Sequence, residues 1–334
     1  MRGEEARKLI GASMFVHNLA FSTVMRFKAI SPFSFELTVH KPAGWSLVTP
    51  YEIFENGTLW TAMRVHSGRV FGLKLSSLGT VDKPEILCNL FSSEKLRAND
   101  KRELSDTVRW LLNLQEDITP FYALAKHDKL VRVLVKDLYG MKSTKGVDLF
   151  SKLILAVTLQ MAPIKRSDQM MKLLIKEFGE RVKFDDKEVL YWPSATRIAK
   201  TQVRDLEEKC KLGYRARILR GIAEALLRGF PSSQELETMT PEEARTKLME
   251  LKGIGEYSAD ITSPHHGFAL DVWSARIFGL LLYGVELESP RDEISKLKKV
   301  AEERWGLWRG YVFICVLNDL NNLSSRFGLN LAET

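Results

Sequence analysis

The chain has 334 residues, 45% of them hydrophobic and 27% charged, with a net charge of +7 and a pI near 9.2. That length exceeds one ordinary core and points to two or three small domains. No apolar run approaches the ~20 residues of a membrane helix, and the first 30 residues lack the order of a secretory signal. The basic balance is compatible with a polyanionic partner such as nucleic acid. Cys88, Cys210 and Cys315 lie too far apart for a metal site, a disulfide framework or an iron–sulfur cluster, so a reducing, intracellular setting is expected.

In chain order, residues 1–30 read as an N-terminal extension and residues 31–118 as a β-rich domain. Ser34-Phe35-Glu36-Leu37-Thr38-Val39 alternates and is rich in β-formers, which predicts a strand ended by Pro42-Ala43-Gly44. Two further strands follow the turn signals Asn56-Gly57 and Ser67-Gly68, so a small antiparallel sheet is predicted. Leu104, Val108, Leu111 and Leu112 recur at helical spacing over residues 101–114 and predict a helix packed on it. From about residue 120 the pattern is nearly all helical, with segments at 150–157, 169–178, 216–227, 241–251 and 273–282. Thr240-Pro241-Glu242-Glu243 supplies an N-cap, an N1 proline and an acidic first turn, while Gly179, Gly229 and Gly284 stand where helices should stop.

The most informative segment runs Leu248-Met249-Glu250-Leu251-Lys252-Gly253-Ile254-Gly255-Glu256-Tyr257-Ser258-Ala259-Asp260. One helix ends near Leu251 and another begins at Glu256. Glycine permits a positive φ and a close backbone approach, Ile254 plugs the angle between the helices, and the N–H groups opening the second helix face outward. Such an end attracts phosphate through unpaired donors and the helix dipole; Lys252 adds a mobile charge beside it. The contact positions a nucleic-acid backbone without reading bases. Downstream, Asp271 opens another helix among Phe268, Leu270, Val272 and Trp273. By itself it reads as an N-cap worth ~1 kcal/mol.

Hairpin and aspartate together resemble the helix-hairpin-helix superfamily of base-excision DNA glycosylases. Phe150 to Phe178, including Thr158-Leu159-Gln160-Met161-Ala162, is similar to the family's first core helix and DNA-intercalating turn. Leu206 to Leu227 resembles the segment before the hairpin, and Glu303 to Tyr311 the final pocket helix. Lys41-Pro42, Trp45-Ser46 and Leu114-Gln115 resemble the N-terminal domain of AlkA-type 3-methyladenine glycosylases. The implied fold is α+β: an N-terminal antiparallel sheet with helices, TBP-like, followed at 119–334 by an all-α glycosylase body of two helical subdomains flanking the active-site cleft.

The resemblance implies that the target nucleotide is flipped out of the stack. Asp271 would stabilise positive charge growing on the sugar or orient the attacking water; the residues alone leave both roles open. Lys252, Gly253, Gly255, Tyr257 and Ser258 would hold double-stranded DNA, and Gln160 and Met161 are candidates to fill the emptied stack. Tyr257 stands where strand-cleaving relatives carry a Schiff-base lysine, which implies a monofunctional enzyme. Trp45, Tyr257, Trp273 and Phe313 would line a pocket whose aromatic faces favour a cationic, alkylated purine, with Asn318 a candidate to read a base edge. His265 and His266 lie nearby and read as loop residues, phosphate contacts or donors to a leaving base. An 8-oxoguanine or a mismatch thymine or uracil enzyme, or a non-catalytic DNA-binding module, are the competing readings. A monomer without a metal or cofactor is expected, apart from a monovalent cation on the hairpin carbonyls at the DNA contact.

Overall fold

The computed structural model describes residues 15–65, 67–146 and 148–331. The stretch read as an extension contributes two strands, β1 (Phe15–Asn18) and β2 (Phe21–Lys28). The segment predicted as the first strand is instead a short helix, α1 (Phe35–Val39). Ser34 caps it by accepting from Leu37 N at 3.4 Å, and Phe35, Thr38 and Val39 bury the i, i+3, i+4 face. A local cap and one buried stripe thus override β-propensity, which depends on having strand partners.

Strands β3 (Ile53–Glu55), β4 (Thr58–Arg64), β5 (Val70–Ser77) and β6 (Glu85–Ser92) complete an antiparallel sheet of order β2-β6-β5-β4-β3. Asn56 and Gly57 both take positive φ, as the predicted tight hairpin requires. Helix α2 (Ala98–Leu111) lays Leu104, Val108 and Leu111 on Leu59, Leu73 and Leu90 of the sheet.

The body begins with α3 (Thr119–Leu124), α4 (Lys129–Asp137), α5 (Leu149–Leu159) and α6 (Ile164–Phe178). A hairpin that helical periodicity does not reveal then interrupts it: β7 (Glu180–Phe184) and β8 (Lys187–Tyr191), turning on Asp185 and Asp186 at positive φ. Strand β1 pairs in parallel with β7. Helices α7 (Ala195–Lys200), α8 (Val203–Cys210), α9 (Arg215–Leu227), α10 (Ser233–Glu237), α11 (Pro241–Met249) and α12 (Glu256–Thr262) follow, then α13 (Val272–Tyr283), α14 (Pro290–Trp305), α15 (Arg309–Asn318) and α16 (Leu320–Phe327).

Two helical cores result. The first gathers α5 to α12 with the second hairpin; the other gathers α3, α4 and α13 to α16. The chain leaves the second core after α4, builds the first, and returns through the loop between α12 and α13. Arg64 on β4 fastens the sheet to the first core. Its guanidinium reaches Asp148, the N-cap of α5, at 3.0 Å, Glu180 at 2.7 Å and Trp192 O at 3.0 Å. Among the described residues no helix is long and apolar enough to cross a membrane.

Candidate active site and nucleic-acid interface

The hairpin forms as its residues dictate. Gly253 adopts φ +91°, and a Cβ there would stand 2.8 Å from the side chain of Ile218 on α9. Ile254 is buried beneath the turn, and its N–H bonds Leu251 O at 2.9 Å. Lys252, Gly253 and Gly255 are exposed. Gly255 caps α12, whose first N–H groups have no intrahelical acceptor. The exposed Glu256 is drawn aside by Arg245 at 2.8 Å and Lys298 at 3.6 Å, which moderates its charge at the helix start. Ser258 differs from its expected place: its side chain is buried and its hydroxyl accepts from Gln160 Nε2 at 2.9 Å. Only its backbone belongs to the outward-facing turn.

Gln160 ends α5 and also donates to Gly253 O at 2.8 Å, so it bridges to the hairpin and is not a free side chain. Its neighbour Met161 is 83% exposed and held at φ +46°. Of the two wedge candidates, Met161 alone is presented outward. The turn between α8 and α9 joins the same face: Arg215 donates to Gln160 O, and Arg166 to Lys211 O at 2.9 Å. Tyr214 and Ile164 are exposed there beside Met161, rimmed by exposed Lys165, Arg166, Lys211, Arg217 and Lys252. Apolar tips ringed by cations suit a polyanion with stackable bases. Tyr214 and Arg215 lie in a segment quoted above for its resemblance, yet their place on this face was not predicted; the turn signal Leu212-Gly213 was the available cue.

Asp271 caps α13 and does more than cap it. One carboxylate oxygen accepts from Ser274 N at 2.8 Å and Ser274 Oγ at 2.7 Å, while Asp271 N donates to Ser274 Oγ at 2.8 Å. Ser274, absent from the sequence-derived site, was legible as the third residue of an Asp-x-x-Ser capping box. From the other core, Tyr257 on α12 comes close enough to the same carboxylate to interact with it. Burial first, then its interaction with the Asp271 carboxylate, raises the Tyr257 phenol far above its ordinary value, so it stays protonated. The hairpin and the carboxylate therefore meet across the junction of the two cores.

The other pocket candidates are less convergent. Trp45 is 43% exposed on the loop after α1. Trp273 packs on the second core, and Phe313 stacks on Phe278 at 5.8 Å. Asn318, a candidate base reader, is buried: its amide donates to Ile314 O at 2.9 Å and its carbonyl accepts from Ala43 N at 3.3 Å. It anchors the loop that carries Trp45. His266 bonds Glu116 at 2.7 Å and meets the Tyr311 ring edge-on. Among the described residues no group of three or more His, Cys, Asp or Glu could hold a metal ion.

No family model matches the chain. It is similar to a DNA-3-methyladenine glycosylase of Bacillus subtilis (strain 168), 26% identical over 179 residues, or 54% of this chain and 59% of that protein. The match thus spans less than two thirds of the relative's length. In structure the chain resembles the 3-methyladenine DNA glycosylase of Archaeoglobus fulgidus, with a TM-score of 0.68 and 19% identity over 92% of this chain and all of that one. It is similarly close to the Clostridium acetobutylicum 8-oxoguanine glycosylase/lyase in complex with DNA, with a TM-score of 0.66 and 16% identity over 90% of this chain and 98% of that one. In its fold the chain is similar to these DNA glycosylases, and its hairpin–aspartate segment resembles the helix-hairpin-helix superfamily.

Proposed function

We propose that this chain is a monofunctional DNA glycosylase that flips an alkylated purine from duplex DNA and hydrolyses its N-glycosidic bond. The observation that supports the reading is the approach of Tyr257 to Asp271, which sets the hairpin's second helix beside a half-buried carboxylate. Seating the hairpin on phosphates brings a flipped nucleotide to the carboxylate. There the negative charge of Asp271 stabilises positive charge building at C1′ as the base departs. Met161 enters the vacated stack, with the basic rim holding the backbone on either side. A phenol at position 257 forms no imine with the sugar, so base release without strand cleavage is the matching outcome.

A cationic base such as 3-methyladenine or 7-methylguanine leaves readily, which suits a site built around one carboxylate. The test is a panel of duplexes, each with one modified base, assayed for free base and for strand cleavage. Release of alkylated purines with intact strands is expected. Preference for 8-oxoguanine would replace the substrate assignment, and borohydride trapping of a protein–DNA adduct would overturn the monofunctional one. Binding of duplexes with no base released from any would leave a non-catalytic DNA-binding module.

A further inference from the structure

Docking and chemistry are divided between the two cores. The turn bearing Met161 and the hairpin around Ile254 are built on the first core, whereas Asp271 caps α13 of the second. Whatever fixes one core against the other therefore fixes where the carboxylate stands relative to DNA seated on the hairpin.

Helix α12 spans that division. Ala259 is wholly buried in the first core. Tyr257 and Asp260, three residues apart and so on one face of the helix, look across to the second. Tyr257 approaches Asp271, and Asp260 Oδ2 accepts from Lys298 Nζ of α14 at 2.9 Å. Helix α14 is seated in the second core by Leu297 and Ala301, and its Trp305 packs on Phe278 of α13 with ring centroids 6.1 Å apart. The contacts α12 to α13, α12 to α14 and α14 to α13 thus close a triangle at the junction of the cores.

Asp260 is the corner where most converges. Its side chain is only 11% exposed, and Arg245 of α11 approaches its other oxygen at 3.5 Å, so the carboxylate faces one cation from each core. The exposed Glu256, one turn earlier, shares both cations, with Arg245 at 2.8 Å and Lys298 at 3.6 Å. The backbone of Asp260 is engaged as well. A Cβ on Gly267 would stand 2.2 Å from Asp260 O, so the loop leading to Asp271 runs directly against the same residue.

The geometry points to Asp260 and Lys298 as positioning residues: their ion pair sets the second core, and with it Asp271, against DNA held by the first. This rests on the glycosylase reading above. Neither side chain acts on the substrate. Their effect runs through Asp271, and misplacing a reacting group by about 1 Å costs up to about 100-fold in rate.

The experiment compares wild type, Lys298→Met, Lys298→Arg, Asp260→Asn and the double variant Lys298→Met/Asp260→Asn on the modified base that wild type releases fastest. Single-turnover base release is measured together with affinity for a duplex carrying a tetrahydrofuran abasic analogue. Lys298→Met should release base about 10- to 100-fold more slowly, with analogue affinity unchanged because the DNA-holding face lies on the first core. Lys298→Arg, which keeps the cation and its reach, should recover most of that loss. Asp260→Asn should be slow in the same way, and keeps the test open if Lys298→Met fails to fold. The double variant should be hardly slower than Asp260→Asn alone, since the two changes break one contact. A wild-type rate in Lys298→Met or Asp260→Asn overturns the inference while leaving the glycosylase reading intact. Loss of analogue affinity in step with rate, or no recovery in Lys298→Arg, overturns it too, in favour of a pair that only stabilises the fold. Wild type releasing no base from any duplex overturns both.

Discussion

Asp271→Asn separates the cap that Asp271 forms in this structure from the catalytic charge proposed for it. The cap depends on an oxygen that accepts from Ser274 N and Ser274 Oγ at 2.8 and 2.7 Å. Asparagine presents an oxygen in the same place and ranks with aspartate as an N-cap, so the helix should lose well under ~1 kcal/mol. In a chain of this size that shifts Tm by no more than about 2–4 °C. The negative charge, by contrast, vanishes entirely. Losing an electrostatic stabiliser of a developing charge costs about 100- to 1000-fold in rate, roughly 2.7–4 kcal/mol of barrier. The assay is single-turnover base release from an alkylated duplex, with Tm and affinity for an abasic-analogue duplex measured on the same preparation. The expected pattern is a collapsed rate with Tm and affinity held. A variant retaining more than a tenth of the wild-type rate would refute the catalytic assignment and leave Asp271 a cap alone.

Met161→Ala should slow base release about tenfold at unchanged Tm, because an 83%-exposed side chain adds little to the fold; an unaltered rate would remove Met161 as the wedge. Arg64→Ala should destabilise the protein by about 3–5 kcal/mol in a denaturant titration, since it strands Asp148 and Glu180 without their cation; a loss below ~1 kcal/mol would show the clasp to be dispensable. Stability should also rise from pH 8 to about 9 and then decline. Burial pulls Lys41, Lys142 and Lys152 down from 10.5 to about 8, so over that interval the unfolded chain binds more protons and alkali favours folding. Above that, burial-raised Cys88, Cys210 and Cys315, whose ordinary value is 9.0, and then Tyr122, Tyr191, Tyr257 and Tyr311, ionise first in the unfolded chain, which reverses the sign. Chemical denaturation at half-unit steps from pH 7.5 to 10.5 tests this, and a monotonic fall would contradict it.

Much of this architecture was legible in one dimension. Helical periodicity, caps and turn dipeptides are local signals, so the body helices, the Asn56-Gly57 turn and the hairpin followed from neighbours in sequence. The misread segments are those decided by distant partners. Residues 34–39 have strand composition, yet the Ser34 cap and one buried stripe make them a helix. Residues 15–28 have little pattern of their own and become strands because β7 and β6 offer edges. The site divides in the same way. Asp271 and the hairpin were readable from spacing, whereas the burial of Ser258 and Asn318 depends on Gln160 and Ala43, 98 and 275 residues away. The bond from Lys298 to Asp260 across the two cores has no counterpart in a linear string at all.

The Gln160 amide has a mechanical consequence. By bonding Gly253 O and Ser258 Oγ it makes the turn bearing Met161 and the hairpin one solid piece, although 93 residues separate Gln160 from Gly253. On the proposed reading, the height of Met161 above the hairpin is then a fixed dimension of the protein, like the setting of a depth gauge. Where the hairpin comes to rest on the phosphates decides how far the methionine reaches between the bases. On that reading, undamaged, well-stacked DNA would stop the gauge short, and a duplex already weakened at one step would let it close.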